Sequence, residues 1–189
     1  MDGVLIDTTA LVYNTYTEIC KYYDIPSPSE EQVLRTISMS PRSAIDHLFG
    51  AKAPNINKLF NSTWAKQKAK ALPFNGIHEI LRYLKKEKDL ILGVVTSRNS
   101  DDASTLLTSA GLTEYFDDIV TWGYYRSAKP SPACLLIAVE RLGKTTDHAA
   151  YVGDQPVDMK AAKNAGCTAI GATWSHTSEA ELVTAGADV

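Results

Sequence analysis

Ala149-Ala150-Tyr151-Val152-Gly153-Asp154-Gln155-Pro156-Val157-Asp158 is the stretch that decides the fold. Ala149 to Gly153 reads as a strand. Two acids follow at its downstream end. Val157 to Ala165 then reads as a small-residue helix capped by Gly166, and Thr168 to Ala172 as the next strand. The same alternation extends upstream. Leu90 to Val95 is a short, nearly all-apolar run, which predicts a strand buried on both faces of a parallel sheet; Asp101 to Ala110 is a helix closed by Gly111, and Phe116 to Thr121 another strand. Ser131 and Pro132 start a helix, because proline in the first turn loses no needed N–H. Leu135, Leu136, Val139 and Leu142 carry it at helical spacing until Gly143. Strands alternating with helices predict a doubly wound α/β parallel sheet of Rossmann type.

Leu11 to Leu72 differs, with no clear strand. Leu11 to Tyr23, Ser29 to Ile37, Pro41 to Phe49 and Ile56 to Leu72 read as helices, some with lysine-rich outer faces that solvent accounts for. The division expected is an α/β core of residues 1–10 and 73–189 with an inserted all-helical cap of residues 11–72. The chain opens at a turn, Met1-Asp2-Gly3, with no strand leading into it. It closes at Gly186-Ala187-Asp188-Val189, where a strand would start. Both ends are expected to cut through an element.

Composition narrows the function. The chain has 189 residues, 44% hydrophobic and 22% charged, which suits one globular domain with a modest insertion. Nineteen basic against twenty-two acidic residues give a net charge of −3, against a nucleic-acid partner. No apolar run approaches the roughly 20 residues a bilayer needs, so no membrane partner is expected. No basic stretch followed by an apolar one opens the sequence, so no signal peptide is expected. Cys20, Cys134 and Cys167 are odd in number and widely spaced. They suit buried thiols in a reducing cytoplasm better than a disulfide frame. His47, His78, His148 and His176 lack zinc-ligand spacing. Oligomeric state leaves no signal.

Four short signals carry chemistry: Asp2-Gly3-Val4-Leu5-Ile6-Asp7-Thr8, Thr96-Ser97-Arg98-Asn99, Lys129-Pro130, and Gly153 to Asp158. The last three follow expected strands, and the carboxyl ends of strands form the ligand crevice of an open α/β sheet. Carboxylates suit Mg2+, which takes hard oxygen ligands and usually also binds substrate phosphate. Lysine supplies a point charge for a phosphoryl oxygen. A hydroxyl and the N–H groups opening a helix suit the other oxygens. Together they would stabilise the charge of a transferring phosphoryl group. Singly, each has a blander reading: Asp2-Gly3 as a turn, Thr96-Ser97 as a helix cap, Lys129 as a surface residue, Asp154 as a turn or cap acid and Asp158 as a solvated acid on its helix. The ordered set is the specific signal.

With these motifs the sequence resembles the haloacid dehalogenase superfamily, in its phosphoglycolate phosphatase-like and β-phosphoglucomutase-like branch. The likeness spans essentially the whole chain and includes Pro73-Phe74-Asn75-Gly76, Gly171-Ala172-Thr173-Trp174-Ser175 and Ala185-Gly186-Ala187-Asp188. It implies an Mg2+-dependent phosphatase acting on a small phosphorylated metabolite through an aspartyl phosphate. Asp2 would be the general acid/base and reach the metal through its carbonyl, with Gly3 beside it. Thr96 would hold the phosphoryl group, helped by the Ser97 amide, and Lys129 would neutralise its charge. Asp154 would bind Mg2+, and Asp158 would bind it directly or orient its water. Ser38-Met39-Ser40-Pro41-Arg42 resembles the substrate-specificity loop, with Arg42 facing a distal acid group of the substrate.

One departure is sharp. The family's nucleophile lies two positions before its general acid, one position ahead of Met1, so the 189 residues as written are expected to be an inactive fragment. Asp7 does not replace it, because it lies downstream where the family leads into its cap. The strand bearing the nucleophile would lie between those bearing Thr96 and Asp154, which its absence would leave about 9–10 Å apart. Alternatives are a phosphomutase, a non-catalytic pseudophosphatase or binding domain, and a phosphoryl-accepting receiver. Gly153 to Asp158 and the inserted helices argue against the receiver. A dehalogenase proper fits Asp2 less well. Trp122, Tyr124 and Tyr125 are expected to pack rather than line a pocket, as are Tyr13, Tyr16, Tyr22 and Tyr23.

Overall fold

Short polar caps and left-handed glycines set most element boundaries in the computed structural model, which describes residues 1–37, 39 and 41–189. The chain divides into two units, one of Met1–Ile6 with Leu72–Val189 and one of Asp7–Ala71.

The Asp7–Ala71 unit is helical. Helix α1 spans Thr8–Tyr22, α2 Glu30–Leu34, α3 Pro41–Phe49 and α4 Ala53–Lys68. α1 starts earlier than the expected Leu11 because Asp7 caps it, its Oδ1 accepting from the amides of Thr9 (3.1 Å) and Ala10 (3.4 Å). α2 is shorter than expected. Ser29 and Gln32 form a capping box at its start. At its end the Thr36 hydroxyl donates to the Val33 carbonyl (2.7 Å), competing with further helix. α1 packs on α4 through Tyr16, whose ring meets Phe49 at 5.5 Å and Phe60 at 5.7 Å. Tyr16 thus serves packing, whereas Tyr22 is exposed and sits edge-on to Tyr23.

The other unit alternates strands and helices. Ile77–Lys86 forms α5, an element outside the expected set. It buries Ile77 and Leu81 and starts at Gly76, in the left-handed region at φ +84°. Then come β1 Gly93–Val95, α6 Ser100–Ser109, β2 Asp118–Val120, α7 Ala133–Arg141, β3 Ala150–Gly153, α8 Pro156–Ala165, β4 Thr168–Gly171 and α9 Glu179–Thr184. β1 runs parallel to β2, with Val94 opposite Ile119 and Val95 opposite Val120. β3 runs parallel to β4, with Tyr151 opposite Ala169 and Gly153 opposite Gly171.

The strands are parallel and alternate with helices, as a doubly wound fold requires. Among the described residues no ladder joins β1 to β3, so the strands form two pairs. β1 is accordingly shorter than the expected Leu90 to Val95. Leu90 and Ile91 lie outside the ladder, 47% and 44% exposed, instead of buried on both faces. The core of the unit lies beneath β1–β4. Val95, Val120, Leu135, Met159, Ala161, Ala162, Ala169 and Leu182 pack there. Cys134 and Cys167 join them, and all three cysteines are free and buried. Beyond α9 the chain returns to β4, where the Asp188 amide donates to the Ala169 carbonyl and the Gly171 amide to the Val189 carbonyl, both at 2.8 Å. Among the described residues no helix is long and apolar enough to cross a membrane.

Candidate active site

The site forms where β1, β2 and β3 end and the Met1–Ile6 turn meets them. The turn closes on itself, the Leu5 amide donating to the Met1 carbonyl (2.8 Å) and the Gly3 amide to the Ile6 carbonyl (3.0 Å). This requires φ +67° at Gly3, a left-handed conformation that glycine alone adopts without penalty. Gly3 also lacks a side chain for a second reason. A Cβ there would run into the carboxyl group of Asp154 and lie 2.9 Å from the Ser175 hydroxyl. The first and fourth motifs, 151 residues apart, are therefore packed backbone to carboxylate.

Asp2 is held by Arg98. The guanidinium donates through Nε (3.0 Å) and Nη2 (2.8 Å) to one oxygen, Oδ1, and both side chains are part-buried. Arg98 stands in the turn after β1. Thr96 is buried at the end of that strand, its amide donating to the Val120 carbonyl (3.0 Å) as the ladder's last rung. The Arg98 amide donates to Thr96 Oγ1 (3.2 Å). Thr96 Oγ1 accepts there, which leaves its own proton to donate elsewhere. From the loop after β2, the Trp122 amide donates to the Arg98 carbonyl (2.8 Å) and the Tyr125 hydroxyl to the Thr96 carbonyl (3.0 Å). Burial raises the Tyr125 pKa, keeping it a donor. Ser97 is exposed at the same turn, and the Asn99 side chain caps α6 through the Asp102 amide (2.9 Å).

Lys129 lies in the loop after β2, joined to Pro130 by a cis peptide bond. Its Nζ donates to Asp158 Oδ1 and to the Tyr151 hydroxyl (3.1 Å). Burial works against the charged ammonium, but Tyr151 and Asp158 outweigh it and hold the Lys129 pKa above the usual lysine value. Asp158 is the third residue of α8 and caps its N-terminus, its Oδ2 accepting from the Gln155 amide (3.1 Å). Both of its oxygens are thereby engaged.

Asp154 is different. It is buried, and among the described residues its Oδ2 accepts only from neutral side-chain donors, Gln155 Nε2 (3.2 Å) and Ser175 Oγ (3.1 Å). Burial raises its pKa, and the nearby Asp158 raises it further. The main-chain nitrogen of Met1 is buried within electrostatic reach of Asp2, Lys129, Asp158 and Asp154.

Among the described residues no three acidic, histidine or cysteine side chains converge as a closed metal cage. Mg2+ does not need one, since it usually keeps several waters and binds one or two carboxylates plus a substrate phosphate. A buried carboxylate held by neutral donors beside a second carboxylate is a fitting donor set for that ion.

Asp2, Gly3, Thr96, Ser97, Lys129, Asp154 and Asp158 thus stand in or beside one cluster. Arg42 is exposed, the second residue of α3 in the helical unit, and Ser38 and Ser40 of its loop lie outside the described residues. Arg98, Tyr125, Tyr151 and Ser175 join the cluster although the sequence reading gave none of them a role in it. Tyr125 and Ser175 had appeared only as packing and as part of a resembling segment.

The haloacid dehalogenase-like hydrolase family matches residues 1–172. The chain belongs to that family. Among the proteins it is similar to, IndB of Dickeya dadantii, assigned as a phosphatase, is 29% identical over 188 residues, covering 95% of this chain and 81% of that protein. The pyrophosphatase PpaX of Bacillus velezensis is 28% identical over 176 residues, covering 93% and 81%. A solved structure from Thermotoga maritima, assigned as a β-phosphoglucomutase, superposes with a TM-score of 0.87 at 26% identity, covering 100% of this chain and 89% of that one.

Proposed function

We propose that the core unit is the phosphoryl-transfer site of a Mg2+-dependent phosphatase acting on a small phosphorylated metabolite, with phosphoglycolate as the first substrate to try. The observation that carries this is the cluster of Asp2, Thr96, Lys129 and Asp154 around the carboxyl ends of β1, β2 and β3. Phosphatase and pyrophosphatase relatives support the reaction class.

Each residue then has a task. Asp2, oriented by Arg98, gives a proton to the leaving oxygen and later takes one from the attacking water. The Thr96 hydroxyl and the Ser97 amide hold non-bridging phosphoryl oxygens. Lys129 offsets their charge. Asp154 and the Asp2 carbonyl would hold Mg2+, with Asp158 fixing Lys129 and orienting a metal-bound water. The ion, when bound, neutralises charge that develops on the phosphoryl oxygens. The covalent route also needs a nucleophilic carboxylate one position ahead of Met1. The 189 residues alone are therefore expected to hold phosphate without turning it over.

Turnover of a phosphate-ester panel with Mg2+ tests the reading. The 189-residue protein should be silent, and a version carrying an apolar strand ending in aspartate ahead of Met1 should hydrolyse at least one ester. Turnover by the shorter protein would refute the assignment of the nucleophile. Silence of both would refute the phosphatase. An Arg42→Ala arm reads whether substrate ranking follows the helical unit, and a β-phosphohexose arm reads mutase activity.

Metal binding has its own signature. The raised Asp154 pKa means that the folded state gives up its proton at higher pH than the unfolded chain does. Without metal, its contribution to stability therefore falls as pH rises through the ordinary aspartate range and on to the folded value. Mg2+ at a hundredfold excess over its Kd should restore about 2.7 kcal/mol at neutral pH. Asp154→Asn should remove both the loss and the response. Thermal unfolding with and without Mg2+ across pH checks this, and an equal Mg2+ response in Asp154→Asn would exclude Asp154 as a ligand.

A further inference from the structure

Tyr151 carries a phenol that none of the steps above uses. It sits in β3, in an otherwise small and aliphatic strand, part-buried. Its hydroxyl accepts from Lys129 Nζ at 3.1 Å and donates toward Asp158 Oδ1 at 3.5 Å. The ammonium also lies 5.6 Å from the centre of the Tyr151 ring. Lys129, Tyr151 and Asp158 thus close a triangle of hydrogen bonds, and burial keeps the phenol protonated.

A lysine ammonium has three donors on a flexible stem and no fixed geometry. Paired with Asp158 alone, it would rotate about that one contact. The Tyr151 oxygen is a second acceptor, on a neighbouring strand, and two fixed acceptors define the direction of the third N–H. Asp158 cannot supply the second point, because its Oδ2 is taken by the Gln155 amide (3.1 Å). The phenol itself cannot move far, since its backbone lies in the β3–β4 ladder opposite Ala169.

We infer that Tyr151 is a positioning residue that, through its hydroxyl, fixes Lys129 so that one N–H of the ammonium points at the incoming phosphoryl oxygen. This deepens the phosphoryl-site reading and rests on it. Tyr151 acts through Lys129 and does not touch the substrate.

The test uses the 189-residue protein, inorganic phosphate with Mg2+ as the probe, and Tyr151→Phe, which removes one oxygen and keeps the ring. Phosphate affinity is read by calorimetry. The Lys129 ammonium is read by its own NMR resonance, assigned through Lys129→Met. Tyr151→Phe is expected to weaken phosphate binding about five- to tenfold, the scale of one ordinary hydrogen bond's net contribution. The Lys129 resonance should shift and exchange faster with water, while thermal unfolding moves little. A purely structural role would change the melting temperature and leave the ammonium signal of the folded protein as it was. An unchanged Lys129 resonance, or native phosphate affinity in Tyr151→Phe, overturns the inference. If native protein and Lys129→Met fail alike to bind phosphate, the phosphoryl-site reading falls, and Tyr151 as its positioning residue falls with it.

Discussion

Lys129→Met should cost the core unit about 3–5 kcal/mol, the scale for removing one partner of a buried ion pair, and should abolish phosphate binding. Asp158 is 3% exposed, and its nearest cation is the Lys129 ammonium, whose side chain is 15% exposed. Removing the lysine leaves a carboxylate that water cannot reach and whose remaining donors are neutral, the Gln155 amide and the Tyr151 hydroxyl. The sign with pH follows from the raised Lys129 pKa. The contribution of the pair is complete below the ordinary lysine value and is lost only as pH climbs beyond it. Denaturant unfolding at neutral pH should therefore show nearly the full deficit.

The double variant Lys129→Met with Asp158→Asn separates structure from function. A neutral pair of similar volume often restores stability when a buried ion pair is replaced whole. The double variant should regain most of the loss and still fail to bind phosphate, because the lysine's charge no longer faces the phosphoryl group. A Lys129→Met protein within about 1 kcal/mol of native would mean that the pair is solvated. A double variant that binds phosphate normally would remove Lys129 from the site.

These arguments use contacts of unequal legibility. The motif residues could be read because each rests on local grammar: an apolar run, then a polar turn, then a helix start. Asp154 and Asp158 follow β3 directly, Thr96 follows β1, and Gly166 ends α8 in the left-handed region the sequence implied. The partners of those residues could not be read so. Arg98 reaches Asp2 across 96 positions and Lys129 reaches Tyr151 across 22. Nothing local distinguishes Tyr151 from a phenol that merely packs. Arg98 did leave a trace, as a cation in a strand-end turn already suspected of holding an anion. The elements misjudged were those whose fate depends on neighbours. Leu90 and Ile91 are apolar enough for a buried strand, but β1 has a ladder partner on one side among the described residues, and it begins only at Gly93. Helix α5 escaped notice because Pro73 to Gly76 reads as a loop, and the apolar stripe of Ile77 and Leu81 just beyond it is short.

Gly3→Ala is the second large effect, and it separates backbone strain from metal binding. Two costs add. A non-glycine residue at φ +67° costs roughly 1–2 kcal/mol. The new methyl also enters the space of the Asp154 carboxyl group and lies 2.9 Å from Ser175 Oγ. The Asp154 side chain is short and tied to Gln155 and Ser175, so it must rotate away and lose those bonds. Total destabilisation should reach about 2–4 kcal/mol when strain and overpacking are combined. The Mg2+-dependent rise in melting temperature should fall to that of Asp154→Asn, because the displaced carboxylate leaves the place it holds against Gly3. Gly76→Ala is the control. It shares a left-handed φ of +84° but has open space where its Cβ would stand. It should show the backbone cost alone and keep the full Mg2+ response. If Gly3→Ala retained that response as Gly76→Ala does, the close approach of the Met1–Ile6 turn to Asp154 would have no part in holding the ion.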